Sequence, residues 1–376
     1  MNLMLSPALL WFRQDLRLAD NPALHAVQHR PLLAVYVLDD AAAGRWAHGG
    51  AQRWWLHRSL AALDAALRVR GIALHLARGS ALDIVPALAA QIGADEVHAG
   101  RLYEPWARTR DDALAERLRG EGRRLALHTS TLLHEPASVQ SGQGRAFSQY
   151  SPFARAIFGR GEPPAPLDAP ARLAGPELPG LELDALELLP RPPIPEWWRG
   201  FEPLWTPGEA GGAARLSRFA EIALHGYGEG RNLPGQERTS GLSPHLRWGE
   251  VSPRQVWHAA RGAGAVGDNV FLKEILWREF SYHLLWHRPE MPERALNPAY
   301  ARFPAEPDAK LLHAFQGART GYPIVDAGLR QLWQTGWMHN RVRMIVGSVL
   351  VKHLLQPWQD GAAWFWDTLV DADLAS

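Results

Sequence analysis

Along the first third of the chain, short apolar runs alternate with stretches of helical periodicity. Residues 7–12 (PALLWF), 31–40 (PLLAVYVLDD) and 72–79 (IALHLARG) are apolar nearly throughout, and 95–100 (DEVHAG) and 123–133 (RRLALHTSTLL) continue the series. Runs of this length suit strands buried on both faces. Between them, Asp20-Asn21-Pro22 offers a cap followed by proline at the first helical position. Residues 51–70 are helical in period and stop at Gly71, a natural helix-ending residue. Ser80 with Asp83 resembles a capping box opening a helix over 81–92, and another helix is expected near 105–119. This alternation predicts an α/β domain with a doubly wound, parallel, five-stranded sheet. No GxGxxG follows the first strand, where the residues are RQDLRLADN, so the usual dinucleotide fingerprint is absent.

The pattern then changes twice. Residues 161–207 hold 12 prolines, which nearly excludes helix and marks a long extended linker. Beyond it the periodicity is helical to the end. Ser252-Pro253 opens one helix, 269–287 form a long one, and 323–333 and 338–355 give two more. The expected organisation is an α/β domain over 1–133, a linker over 134–207 and an all-helical domain over 208–376.

Composition narrows the chemistry. The 376 residues include no cysteine, which excludes disulfides, thiolate metal sites and iron–sulfur clusters. The amino-terminal apolar run lacks a basic flank and is too short for a signal peptide or a membrane span, so the expectation is a soluble cytoplasmic protein with no membrane role. Net charge is +1, and residues 201–376 balance 18 basic against 18 acidic side chains. Any nucleic-acid site must therefore be a local basic patch. The 17 tryptophans exceed the usual share. Most belong to the core; a few could stack a planar ligand or carry electrons.

Four segments could carry chemistry. Thr239-Ser240-Gly241-Leu242-Ser243 is a turn of hydroxyls and glycine that can hold phosphate oxygens or be an ordinary capped turn. In KEILWREF, Glu274, Trp277 and Arg278 share one helix face. There they could accept a hydrogen bond, stack a base and balance a phosphate, or make a surface ion pair beside a buried indole. In GWMHNRVRM, Asn340, Arg341, Arg343 and Met344 lie near a helix start, and His339 reads as a packed histidine, not a metal ligand. Asp371 and Asp373 close the chain in DTLVDADLAS.

Together and in this order, these segments resemble the photolyase/cryptochrome family. The opening LLWFRQDLRLADNPAL, TSGLSPHLRWGEVSPRQVW, the KEILWREF helix, GYPIVDAGLRQLWQTGWMHNRVRM and DTLVDADLA are similar to its most distinctive stretches, across essentially the whole chain. The resemblance implies a folded-back FAD in the helical domain. By motif, Tyr227 and residues 239–243 would hold its phosphates and ribityl, while Phe271, Arg278, Asn340, Arg343, Asp371 and Asp373 would surround its rings, with an Arg343–Asp371 ion pair. The resemblance implies a lesion pocket of Glu274, Trp277, Asn340, Arg341 and Met344, with Arg278 beside it and Arg231 reaching a DNA phosphate. It is most like the class I cyclobutane-dimer enzymes, deoxyribodipyrimidine photo-lyases in which an electron from excited reduced flavin opens a flipped-out pyrimidine dimer in UV-damaged DNA. Asn340 stands where the (6-4) enzymes carry a second histidine. The expected protein is monomeric and holds no metal.

Some positions depart from that pattern. In relatives an Asn and a further helical segment follow DxDLA, so a carboxyl-terminally truncated, incomplete FAD domain is expected. Trp358 matches the middle member of the family's electron-transfer tryptophans, Ala305 replaces the outer one, and poor photoreduction is expected. A second, antenna chromophore of the folate or deazaflavin type is also implied; Trp106 and Ala107 stand where folate binders have Asn and Glu, which leaves the pigment open. Two other readings remain: a cryptochrome-type photoreceptor without repair, and a flavin-less DNA-binding or scaffold protein.

Overall fold

The computed structural model describes residues 6–190 and 196–376. Its first half runs β1 (Ala8–Phe12), α1 (Pro22–Val27), β2 (Leu32–Leu38), α2 (Asp40–Ala43), α3 (Gly50–Val69), β3 (Leu74–Arg78), α4 (Ala81–Gln91), β4 (Glu96–Gly100), α5 (Pro105–Gly120), β5 (Arg124–His128) and α6 (Tyr150–Phe158). The strands form one five-stranded sheet in the order β3-β2-β1-β4-β5, with every pairing parallel. Alternation along β1 sends Ala8, Leu10 and Phe12 into one apolar cluster and Leu9 and Trp11 into the other. Both faces of β1 and β2 are covered, which is why those two strands read as unbroken apolar runs.

Local signals act as expected in some places and not in others. Asn21 caps α1 through Leu24 N at 3.1 Å, with Pro22 at the first turn. Ser80 precedes α4 but makes no capping bond. Instead Asp39 reaches across from the end of β2 and accepts from Ala81 N at 3.0 Å. The run 123–133 yields only the strand Arg124–His128. Its partner β4 ends at Gly100, so nothing remains to pair with, and the backbone turns toward the helical half.

Beyond the proline-rich stretch come α7 (Glu209–Ile222), α8 (Tyr227–Gly230), α9 (Ser243–Arg247), α10 (Pro253–Gly262), α11 (Val270–His287), α12 (Ala309–Gln316), α13 (Pro323–Thr335), α14 (Asn340–Ser348) and α15 (Trp358–Thr368). Ser252 and Gln255 complete a capping box at α10. Helix α14 starts two residues later than the expected helix at 338 and runs on into a wide turn over Val349–His353.

One buried carboxylate joins the two halves. Glu250 accepts from Trp55 Nε1 at 2.9 Å and Gly208 N at 2.7 Å, and also contacts Ser59 and His245. Trp55 and Ser59 belong to α3 and His245 to α9, so the contact crosses from one layer of the molecule to the other. Among the described residues, no helix is long and apolar enough to cross a membrane.

Candidate active site

Helix α11 is the platform. Asn269 caps it by accepting from Phe271 N at 2.8 Å. Phe271, Leu272, Ile275, Leu276 and Phe280 bury one broad side. Lys273, Glu274, Trp277, Arg278 and Ser281 are left on the opposite strip, as i, i+4 spacing requires. Glu274 and Trp277 are not sealed in the core. Glu274 Oε1 accepts from Arg231 Nη1 in a part-buried ion pair. Trp277 is 44% exposed. One of its faces lies flat on Tyr150, with ring centroids 3.7 Å apart and planes within 5°. Arg231 in turn sits over the Tyr227 ring at 5.4 Å.

A second wall comes from the segment around α14. Gly336 ends α13 with φ +66, and a Cβ there would fall 2.7 Å from Val370 and 2.9 Å from the Phe201 ring. Only glycine allows this turn and this closeness. Val370 N then donates to Gly336 O at 2.8 Å, laying the final loop beside residues 337–343. Arg343 Nη2 donates to both oxygens of Asp371, at 3.1 and 2.8 Å. Asp373 accepts from Tyr282 Oη at 2.6 Å and from Ala375 N at 2.8 Å. His339 caps α14 by accepting from Arg341 N at 3.1 Å, while its buried Nε2 has no partner. Burial first, and then Arg341, Arg343 and Arg231, hold this imidazole below its ordinary pKa. Three guanidiniums therefore act on one imidazole, two of them held by carboxylates, Arg231 by Glu274 and Arg343 by Asp371.

The 239–243 turn faces this wall. Trp337 Nε1 donates to Ser243 Oγ at 3.2 Å. Gly241, at φ +61, is the position where a Cβ would meet Arg215 Nη1 at 2.3 Å. Thr239 and Ser240 are half-buried, whereas Leu242 is buried in the apolar cluster. Arg341 Nε donates to Asn232 Oδ1 at 2.8 Å. Asn340 and Met344 are exposed.

Other positions lie differently from a ligand-facing reading. Phe271 is buried, in contact with Phe219 and Tyr227 at 4.5 and 5.2 Å. Arg278 donates to the backbone carbonyls of Thr131 and Leu246, at 2.6 and 3.5 Å. Trp358 opens α15, and no aromatic ring contact to it occurs among the described residues. Tyr150, Trp337 and His339 stand in the site although the segment patterns gave them no role. Tyr150 belongs to a different element from Trp277, so helical spacing could not reveal their contact. Among the described residues no group of three or more His, Asp or Glu is placed to hold a metal ion.

A small cavity of about 50 Å³ opens at the carboxyl ends of β1 and β2. In this strand order the direction of winding reverses between β1 and β4, the place where α/β sheets bind ligands. Trp11, Trp106, Trp248 and His48 line it with Arg13 and Arg110. Arg110 lies over Trp11 and Trp106 at 4.6 and 5.1 Å. Trp11 Nε1 and Arg13 Nε are buried without partners. Burial first and then Arg247 push His48 down to about 4, so it is neutral at physiological pH.

Comparison with known proteins matches residues 8–171 to the DNA photolyase family and residues 271–376 to the FAD binding domain of DNA photolyase. The chain is 48% identical over 384 residues to the deoxyribodipyrimidine photo-lyase of Agrobacterium fabrum, covering all of this chain and 79% of that protein. It is 36% identical over 391 residues to cryptochrome-1 of Arabidopsis thaliana, covering 98% of this chain and 56% of that protein. The crystal structure of a bacterial class III photolyase from Agrobacterium tumefaciens superposes with a TM-score of 0.94 at 46% identity, over all of this chain and 78% of that one. Neither the class I assignment nor a truncation is supported by these matches. With the five-stranded parallel sheet, the helical second half and these similarities together, the chain belongs to the DNA photolyase/cryptochrome family.

Proposed function

We propose that this protein repairs cyclobutane pyrimidine dimers in DNA in a light-dependent reaction with FAD, as a carbon–carbon lyase of the class III type. The observation that carries the reading is the pairing of a half-exposed Trp277 with Glu274 on one helix strip, beside Arg231. Residues 1–133 serve as antenna domain, 134–207 as linker and 208–376 as FAD and lesion domain. The similarity to the class III structure supports the subclass.

The residues fit the cofactor. An adenine dinucleotide requires donors near its diphosphate and hydrogen-bonding groups at its rings. The Thr239, Ser240 and Ser243 hydroxyls, the Arg343–Asp371 pair and the unpartnered His339 Nε2 meet that demand. When bound and reduced, FAD supplies an electron on absorbing blue light. The chain's own part is to seat and orient. Trp277 stacks the extruded pyrimidines, worth roughly 1–3 kcal/mol per base. A linked dimer is poorly stacked, so extruding it costs less than extruding a normal pair. Glu274 leaves Arg231 and accepts from the pyrimidine N3–H, and the released Arg231 meets a phosphate. Asn340 and Met344, exposed on α14, are assigned to the same lesion site by motif. An antenna pigment is assigned to the sheet's switch point, beside the cavity lined by Trp11, Trp106 and Trp248.

Blue-light treatment of a thymine-dimer oligonucleotide with the reduced, flavin-loaded protein tests this. Loss of the dimer in light and not in darkness is expected. A flavin-loaded protein that leaves the dimer intact in light would favour the photoreceptor reading.

A further inference from the structure

The stacking surface of the site is built by two elements, not one. Tyr150 is the first residue of α6, and its ring lies parallel to the Trp277 indole with centroids 3.7 Å apart. Its hydroxyl donates to Lys273 O at 2.8 Å. In an α-helix that carbonyl also takes the amide of the residue four positions on, which is Trp277. Phe280 meets both rings edge-on at 6.0 Å and fixes their common rim. The segment leading to Tyr150 is itself tied to α11, since Phe147 N donates to His283 Nε2 at 3.0 Å and Leu133 N to Glu279 at 2.9 Å.

We propose that Tyr150 is a positioning residue for lesion recognition, which backs the Trp277 indole so that a single, pre-oriented face is offered to the extruded pyrimidines. The inference rests on the reading of Trp277 as the stacking surface. A free indole has two faces and could insert between bases as readily as lie beside them. With Tyr150 seated, the second face is taken, and the linked pyrimidines can approach from one side only. The rotamer freedom of Trp277 is spent during folding and not at binding, which is the general advantage of a preorganised contact.

The test is dark binding of the FAD-loaded protein to an oligonucleotide with one thymine dimer and to its undamaged twin, followed by fluorescence anisotropy. Tyr150→Ala is expected to weaken lesion binding about tenfold, in the range of a stacking contact, with undamaged binding and the flavin absorbance unchanged. Tyr150→Leu keeps bulk without a flat ring and should lose as much. Tyr150→Phe keeps the ring and should recover most of the discrimination. Adding Tyr150→Ala to Trp277→Ala should cost nothing more. Wild-type discrimination in Tyr150→Leu or Tyr150→Ala, alongside a clear loss in Trp277→Ala, would overturn the role of Tyr150 alone. An unaffected Trp277→Ala would instead overturn the stacking reading on which it rests.

Discussion

Helix α11 carries glutamates on two sides, and their partners differ in kind. On the inner side Glu279 is buried and accepts from Leu133 N at 2.9 Å and His134 N at 3.2 Å. On the outer strip Glu274 faces a guanidinium, Arg231, where both side chains keep some access to solvent. Backbone amides cannot leave, so the inner carboxyl holds the 131–134 loop in place. A cation on a long side chain can move, so the outer carboxyl can exchange its partner for a ligand. The same residue type thus builds on one face and stays available on the other.

The sharpest way to break this comparison is to remove the inner member. Glu279→Ala leaves two part-buried N–H groups without their acceptor and is expected to cost about 2–4 kcal/mol of stability at pH 5. Burial pushes the Glu279 carboxyl up to about 7, against the pull of the Leu133 amide, Arg278 and the His134 amide. An unfolded glutamate titrates near 4.3, so the folded state holds the extra proton between these values. The contribution of Glu279 is therefore full at low pH and is lost as pH rises to about 7, by about 3–4 kcal/mol in all. Denaturant melts of both proteins at pH 5 and pH 8 should show the gap narrowing toward zero. An equal gap at both pH values would mean that Glu279 does not titrate in this window.

The outer member should act on chemistry instead. Glu274→Ala is expected to lower light-driven dimer repair by about thirtyfold, in line with losing one hydrogen bond to a charged group. Flavin retention, read from the absorbance spectrum after gel filtration, should hardly change. Loss of both in equal measure would move Glu274 into the cofactor cradle. The smallest effect belongs to the basic rim. Arg341→Ala should weaken DNA binding a few-fold regardless of damage and reduce the salt slope by about one. A change confined to damaged DNA would assign Arg341 to the lesion and not to the backbone.

Legibility in the sequence followed the range of the forces involved. Strands β1 and β2 were readable because both their faces are buried, so Leu9, Leu10 and Trp11 are all apolar. The Asn21 and Ser252 caps were readable because donor and acceptor lie within one turn. Where the partner is remote, pattern failed. Ser80 looked like a cap, yet Asp39 supplies the bond from another strand. Thr131 and Leu133 looked like strand, yet their backbone groups serve Arg278 and Glu279. Spacing did put Glu274, Trp277 and Arg278 together on α11, and all three lie on the strip opposite its buried side. It could not show that Arg278 spends its donors on carbonyls, or that Tyr150 covers half of Trp277.

Glu250 has a consequence for how the molecule comes apart. Its acceptors are shared between α3 on the sheet side and His245 and Gly208 on the helical side. Neither half can open without removing hydrogen bonds from a buried carboxyl that the other half also serves. The two layers are thereby coupled, so that loosening either one weakens the other.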